Sequence, residues 1–176
     1  DNLSAPEIAL PTDHFETIIW TGDGTAGAMS TTGLSFQPDF FFQGGRSGGA
    51  GGAHLTYDSV REFGNDKEIT TNSTGAEGAE NADEYGYVSG VTSDGVTYGQ
   101  GSLGVSSGIV YYNTSGAGYV LWNWKAGGAP TADNSAGAGA TPTAGSVKID
   151  GSNLGSALAG SIAATRLSAN TTSGFS

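Results

Sequence analysis

Few residues in this 176-residue chain have the types and spacing that chemistry needs. Glu77, Glu80, Asp83 and Glu84 bring four carboxylates into one short stretch. Glycoside hydrolysis uses two carboxylates held at a fixed separation across the sugar. These four lie in an Ala-, Gly- and Asn-rich run with no strand pattern to fix a separation. A solvated loop is the expectation, with loose calcium ligation the remaining alternative. The run DGSNLG (150–155) resembles a calcium loop but lacks the closing bidentate acid. His14 and His54 are the only histidines and there is no cysteine, so no zinc or copper cluster is expected. No Gly-x-Ser-x-Gly, Walker or dinucleotide motif stands in a strand–helix setting. The glycine runs lead into no helix that would cradle a phosphate. The chain therefore reads as non-enzymatic and free of cofactors.

Binding needs less geometry than catalysis, and here aromatic rings are the candidates. Tyr111 and Tyr112 adjoin within SGIVYYNTS. On a strand they would point to opposite faces, leaving one exposed to a glycan or partner. Arg46, in the Gly-rich loop after a Phe-rich strand, is a third candidate contact. Trp122 and Trp124 are of the ring type that stacks on sugars, but they share a period-two face with Val120, which predicts core packing. Tyr119, Leu121 and Asn123 take the opposite face. Arg61 and Lys125 stand out among only six cations, and an ion pair such as Arg61 with Asp58 is the expected use.

Net charge is −11, which argues against a phosphate-binding groove and hence against nucleic-acid partners. Anionic membrane surfaces would repel the chain, and no stretch approaches the ~20 apolar residues of a transmembrane helix. The charge reads as solubility, or as adaptation to salty water where screening relieves self-repulsion. The absence of cysteine leaves the compartment open.

The elements that must position these residues are short strands. FETIIW, DFFFQ, HLTYDSVREF, KEITT, YVSGVTSDGVTYG, SGIVYYNTS and GYVLWNWKA carry β-branched and aromatic residues between turn signals. Ser93-Asp94-Gly95 predicts a hairpin turn, with Asp-Gly supplying positive φ. Residues 1–14 read as an extended arm, 15–128 as a β-sandwich and 129–145 as a Gly/Ala/Pro/Thr-rich linker or crossing loop. Residues 146–176 read as a C-terminal β segment that leads into or docks on a further unit. The pattern predicts an all-β fold with long Gly-rich loops, an antiparallel β-sandwich or jelly roll. Leu3, Ile8, Leu10 and Phe175 are the candidate assembly contacts.

The end of the chain echoes its beginning. Thr172-Ser173-Gly174-Phe175-Ser176 aligns with Thr12-Asp13-His14-Phe15-Glu16, a polar turn leading into Phe. This is the pattern of one unit in a tandem array, or of an end strand equivalent to one on a neighbour. FQPDFFF (36–42), YDSVREF (57–63), SDGVTYG (93–99), YVLWNWKAGG (119–128) and LSANTTSGFS (167–176) occur in that order. In this the chain resembles a repeated domain of tail-fibre and other virion structural proteins of marine tailed bacteriophages, including those of cyanobacteria. The resemblance covers the chain from about His14 onward. It implies a lectin-type sandwich, concanavalin- or SPRY-like. It also implies a structural or adhesion module, in the virion or extracellular, that assembles with copies of itself as homo-oligomer or filament. Two alternatives stay open: a carbohydrate-binding module for host-surface polysaccharide, and a subunit of a bacterial extracellular filament or adhesin. Phe40-Phe41-Phe42-Gln43 leading into Gly44-Gly45-Arg46, and Asn123, depart from the pattern of that family.

Overall fold

The structure, a computed structural model, describes residues 10–49 and 54–176. Leu3, Ile8 and most of the expected arm lie outside the described residues.

A 3₁₀ turn (Pro11–Asp13), opened by proline, leads into β1 (Phe15–Thr21). There follow β2 (Met29–Thr32), β3 (Phe40–Ser47), β4 (Leu55–Asp58) and β5 (Ile69–Thr70). A single-turn helix α1 (Ala82–Tyr85) precedes the hairpin of β6 (Tyr87–Thr92) and β7 (Gly95–Gly99). A second such helix, α2 (Gly104–Ser107), precedes β8 (Gly118–Trp124). The chain closes with β9 (Val147–Ile149), β10 (Ser152–Asn153) and β11 (Leu167–Ala169). The fold is mostly β. One sheet has five strands in the order β1-β8-β3-β4-β5, a second has β2-β7-β6, and a third has β10-β9-β11. Every pairing is antiparallel except β9 with β11. Among the described residues no helix is long and apolar enough to cross a membrane.

The first two sheets share one core. Phe41, Leu55, Tyr57 and Leu121 of the larger sheet pack with Val88, Val96 and Tyr98 of the smaller, and Ile109 and Tyr112 plug one end. Tyrosine is the main filler: Tyr57, Tyr98, Tyr112 and Tyr119 are all fully buried. Two of their phenols are anchored, Tyr112 donating to the Gly27 carbonyl (2.6 Å) and Tyr119 to that of Val110 (2.8 Å). Burial raises the phenol pKa of Tyr57 and Tyr98.

Three expectations are corrected. The run SGIVYYNTS (107–115) continues from the last residue of α2 as a series of turns, not a strand, with Asn113 N–H bonding back to the Ile109 carbonyl at 2.7 Å. Its helical path is set by close backbone crossing: a Cβ on Gly108 would lie 2.4 Å from the Gly101 carbonyl. Tertiary packing overrides β propensity here. Second, the face of β8 turned to the core carries Tyr119, Leu121 and Asn123, all 0 % exposed, while Trp122 and Trp124 lie half-buried on the other face. Third, the hairpin turn falls at Ser93-Asp94, but neither Asp94 nor Gly95 has positive φ. Gly95 is needed for space, since a Cβ there would sit 1.7 Å from the Thr31 carbonyl oxygen of β2.

The stretch 129–145 forms no regular element but is pinned to the C-terminal segment. Asn134 donates to the Ala164 carbonyl (3.0 Å) and accepts from the N–H groups of Ala136 and Thr143. The small sheet of β9, β10 and β11 packs on the turn after β8, where Gly127 N–H donates to Ser168 Oγ (2.9 Å).

Candidate functional site

Alternation along the five-stranded sheet sends one set of side chains into the core and the other to its outer face. Register then decides which residues meet there. Phe15, Trp124 and Phe40 lie opposite one another across β1, β8 and β3, as do Thr17, Trp122 and Phe42. The rings touch. Trp124 meets Phe15 at a centroid distance of 4.8 Å and Phe40 at 5.4 Å, and Phe42 meets Trp122 at 5.1 Å and His54 at 5.6 Å. Phe175, brought back by the turn 171–174 and a bridge between Asn170 and Phe175, covers Trp124 and Phe40. At the sheet's edge Phe15 and Ile19 remain 36 % and 62 % exposed. The outer face is thus a row of half-buried rings. Contiguous exposed apolar surface of this kind marks an interaction site more often than chance exposure.

Beside one end of this row opens a cleft of 560 Å³, whose lining includes His14, Asp39, Lys125, Asp150 and Asn170. Its two carboxylates are occupied. Asp39, 4 % exposed, accepts from Ala126 N–H (2.8 Å) and Gly128 N–H (3.2 Å) through Oδ2. Its own N–H donates to the Trp124 carbonyl and its carbonyl accepts from Ser59 N–H, so it ties β3 to β8 and to the turn after β4. Asp39 Oδ1 and Ser59 Oγ are buried without a hydrogen-bond partner. Burial holds the Asp39 carboxyl above the usual carboxylate range despite the two N–H donors. Asp150, in left-handed conformation (φ 50°), accepts from the Thr171 hydroxyl and N–H, which lower its pKa. The Asn170 amide lies 3.1 Å from His14 Nδ1. These contacts hold the C-terminal turn against the start of β1. Among the described residues no group of three His, Asp or Glu side chains is placed to hold a metal ion.

The three candidate contacts named from sequence are not brought together. Tyr112 is 0 % exposed in the core, so its ring faces no ligand; it lies on a helical turn, not on a strand. Tyr111 is half-buried, donates to the Glu80 carbonyl (2.8 Å), and has its phenol pushed up to about 12 by burial. Arg46 is exposed at the end of β3, in the register shift between Gly45 and Ser47. Of the assembly candidates, Phe175 joins the aromatic row and Leu10 is 61 % exposed just before the 3₁₀ turn. Arg61 pairs with Asp58 (2.7 Å) and with Glu77 (3.1 Å), which also takes Lys67 (3.4 Å). Lys125 makes no ion pair among the described residues. One structural acid was missed. Glu68 is 1 % exposed and its Oε1 accepts from the N–H groups of Glu80 and Ala82, fixing the polar stretch that precedes α1. The only signal was the alternation of Glu68 and Thr70 about Ile69, which any solvated strand also shows.

The chain matches no curated protein and no solved structure in the comparisons made. Residues 10–151 match a family described as a domain of unknown function, DUF7483. That match runs from the residue before the 3₁₀ turn to the turn after β9, taking in both sheets of the core, and the chain belongs to the DUF7483 family.

Proposed function

We propose that this chain is a non-enzymatic structural and adhesive module of an extracellular assembly, such as a phage tail fibre or other virion appendage, that packs against copies of itself. The observation that carries this reading is the outer row of Phe15, Trp124, Phe40, Trp122 and Phe42, which leaves large rings partly exposed on a sheet whose other face packs into the core. Burial of such rings yields about 25 cal/mol per Å² of apolar area. The resemblance to virion fibre domains supports it, and two antiparallel sheets around one core support the finer reading of a lectin-type sandwich or jelly roll. No nucleic acid, membrane or cofactor enters this role.

A second reading, a module for host-surface polysaccharide, is favoured by the uncharged ring faces of Trp122 and Phe42, since flat aromatics stack on sugar rings. A bacterial filament subunit would use the same face.

Analytical ultracentrifugation of the chain and of a Trp122→Ala/Phe42→Ala double variant separates these readings. The expected result is self-association of the parent chain, weakened in the double variant with its far-UV spectrum unchanged. A parent chain that stays monomeric yet binds a polysaccharide through Trp122 would replace assembly with glycan recognition.

A further inference from the structure

β1 is an edge strand, and its free side is unguarded. The backbone groups of His14 and Gly22 bond toward β8, through Lys125 N–H to the His14 carbonyl and through Gly22 to Ala117 and Gly116. Antiparallel pairing alternates, so the even-numbered residues of β1 bond to β8. The N–H and C=O groups of Phe15, Thr17, Ile19 and Thr21 point outward, and they have no backbone partner among the described residues. Edge strands are normally blunted by lysine, proline, a bulge or brevity. β1 has seven residues, FETIIWT, in unbroken register with β8, and holds none of these. Its single charge, Glu16, is taken up inside the chain by the N–H and hydroxyl of Ser35. A groove of 330 Å³ separates Ile18 to Thr21 from β2.

The geometry points to a second copy of this chain, paired through β1 about a two-fold axis at Ile18. This rests on the self-assembly reading and names one contact within it. In this register Phe15 faces Thr21 of the second copy and Thr17 faces Ile19. All the outward groups are then satisfied at once, with about eight new backbone hydrogen bonds. Glu16 falls opposite Trp20 of the second copy, so no like charges meet within the ladder, a condition that matters for two chains each of net charge −11. The exposed Ile19 side chains close over Thr17 on the outer face. The two aromatic rows then belong to one continuous ten-stranded sheet. Asp13 and Asp23 flank the ladder ends and approach their counterparts, so the pairing strengthens with salt.

The test uses sedimentation and hydrogen exchange on the full chain. Thr17→Pro removes an outward N–H that bonds nothing among the described residues, so it blocks the ladder without breaking β1–β8. Ile19→Lys does so by charge and serves if the proline variant fails to fold. In the Trp122→Ala/Phe42→Ala background the expected species is a dimer of twice 17.6 kDa, more stable at higher salt, with amides of Phe15, Thr17, Ile19 and Thr21 protected. Adding Thr17→Pro or Ile19→Lys is expected to yield a monomer. A dimer that survives both substitutions overturns the edge contact and leaves the assembly reading standing. So does a background that is already monomeric while the parent chain associates. A parent chain that is monomeric under all conditions overturns both. If deletion of residues 1–9 is needed before dimers form, the edge is taken by the chain's own first residues and the second copy is excluded.

Discussion

Phe175 lies nearly parallel to Trp124, ring centroid to ring centroid 6.0 Å at 16°, on the same indole that Phe15 meets at 4.8 Å. The two Phe residues that end the similar turns 12–15 and 172–175 therefore converge on one tryptophan of β8.

Aromatic pairs contribute about 0.5–1.5 kcal/mol beyond the area they bury. Phe175→Ala should therefore cost about 1 kcal/mol and free the C-terminal turn. Trp124→Ala, which removes the partner of Phe15, Phe40 and Phe175 together, should cost about 2–4 kcal/mol, somewhat less than a fully buried tryptophan. Urea midpoints at constant slope measure both. Equal losses from the two substitutions would mean that Phe175 carries the whole contact.

Gly127 and Gly128 should resist substitution for different reasons. A Cβ on Gly127 would lie 2.3 Å from the Lys148 carbonyl and 2.4 Å from that of Ala169, so Gly127→Ala must push β9 and β11 away. Overpacking of this kind costs about 1–3 kcal/mol. Gly128 has open space but φ of 94°, so Gly128→Asn should be milder than Gly128→Val. Hydrogen exchange should show protection lost at 146–169 in Gly127→Ala while β3 and β8 keep theirs. Uniform loss across both regions would show that the small sheet is not separately docked.

Glu68 and Asp39 are buried carboxyls whose pKa values are raised, in each case first by burial. The folded chain thus holds these protons more tightly than the unfolded chain. Their contribution to stability is full below the ordinary carboxylate pKa and is lost as pH rises through the folded-state value. Melting temperature should therefore rise on mild acidification from neutral pH. Glu68→Gln keeps an acceptor for Glu80 and Ala82 and removes the charge, so it should flatten this slope and leave the share of Asp39. A variant that differs from the parent by the same amount at every pH would show that the Glu68 carboxyl titrates alike in the folded and unfolded chain.

Sequence patterning made β1, β3, β8 and the β6–β7 hairpin legible, because alternation and turn residues act locally. It did not reveal which face of β8 is buried. Val120, Trp122 and Trp124 are bulkier than Tyr119, Leu121 and Asn123, yet the smaller set faces the core, where Tyr57, Tyr98 and Tyr112 already fill the space between the sheets. The Ile109–Asn113 turn was hidden for a similar reason: its β-branched and aromatic residues are those of a strand, and only the crossing at Gly101 and Gly108 bends it. Of the candidate site, Phe175 and the tryptophans were named, but their meeting depends on pairings between distant strands, which no local pattern records.

The convergence on Trp124 has a mechanical meaning. With His14 beside Asn170, and Phe15 and Phe175 both against the Trp124 indole, both ends of the β-rich body lie at one pole. Tension applied between these points would be met first by the His14–Asn170 contact and the stacked rings, and would peel the C-terminal turn away one contact at a time. The long ladders β1–β8 and β3–β8 would not be sheared as blocks. Such a body hangs beside the line of pull like a bead on a clip, compliant at its junction and stiff within.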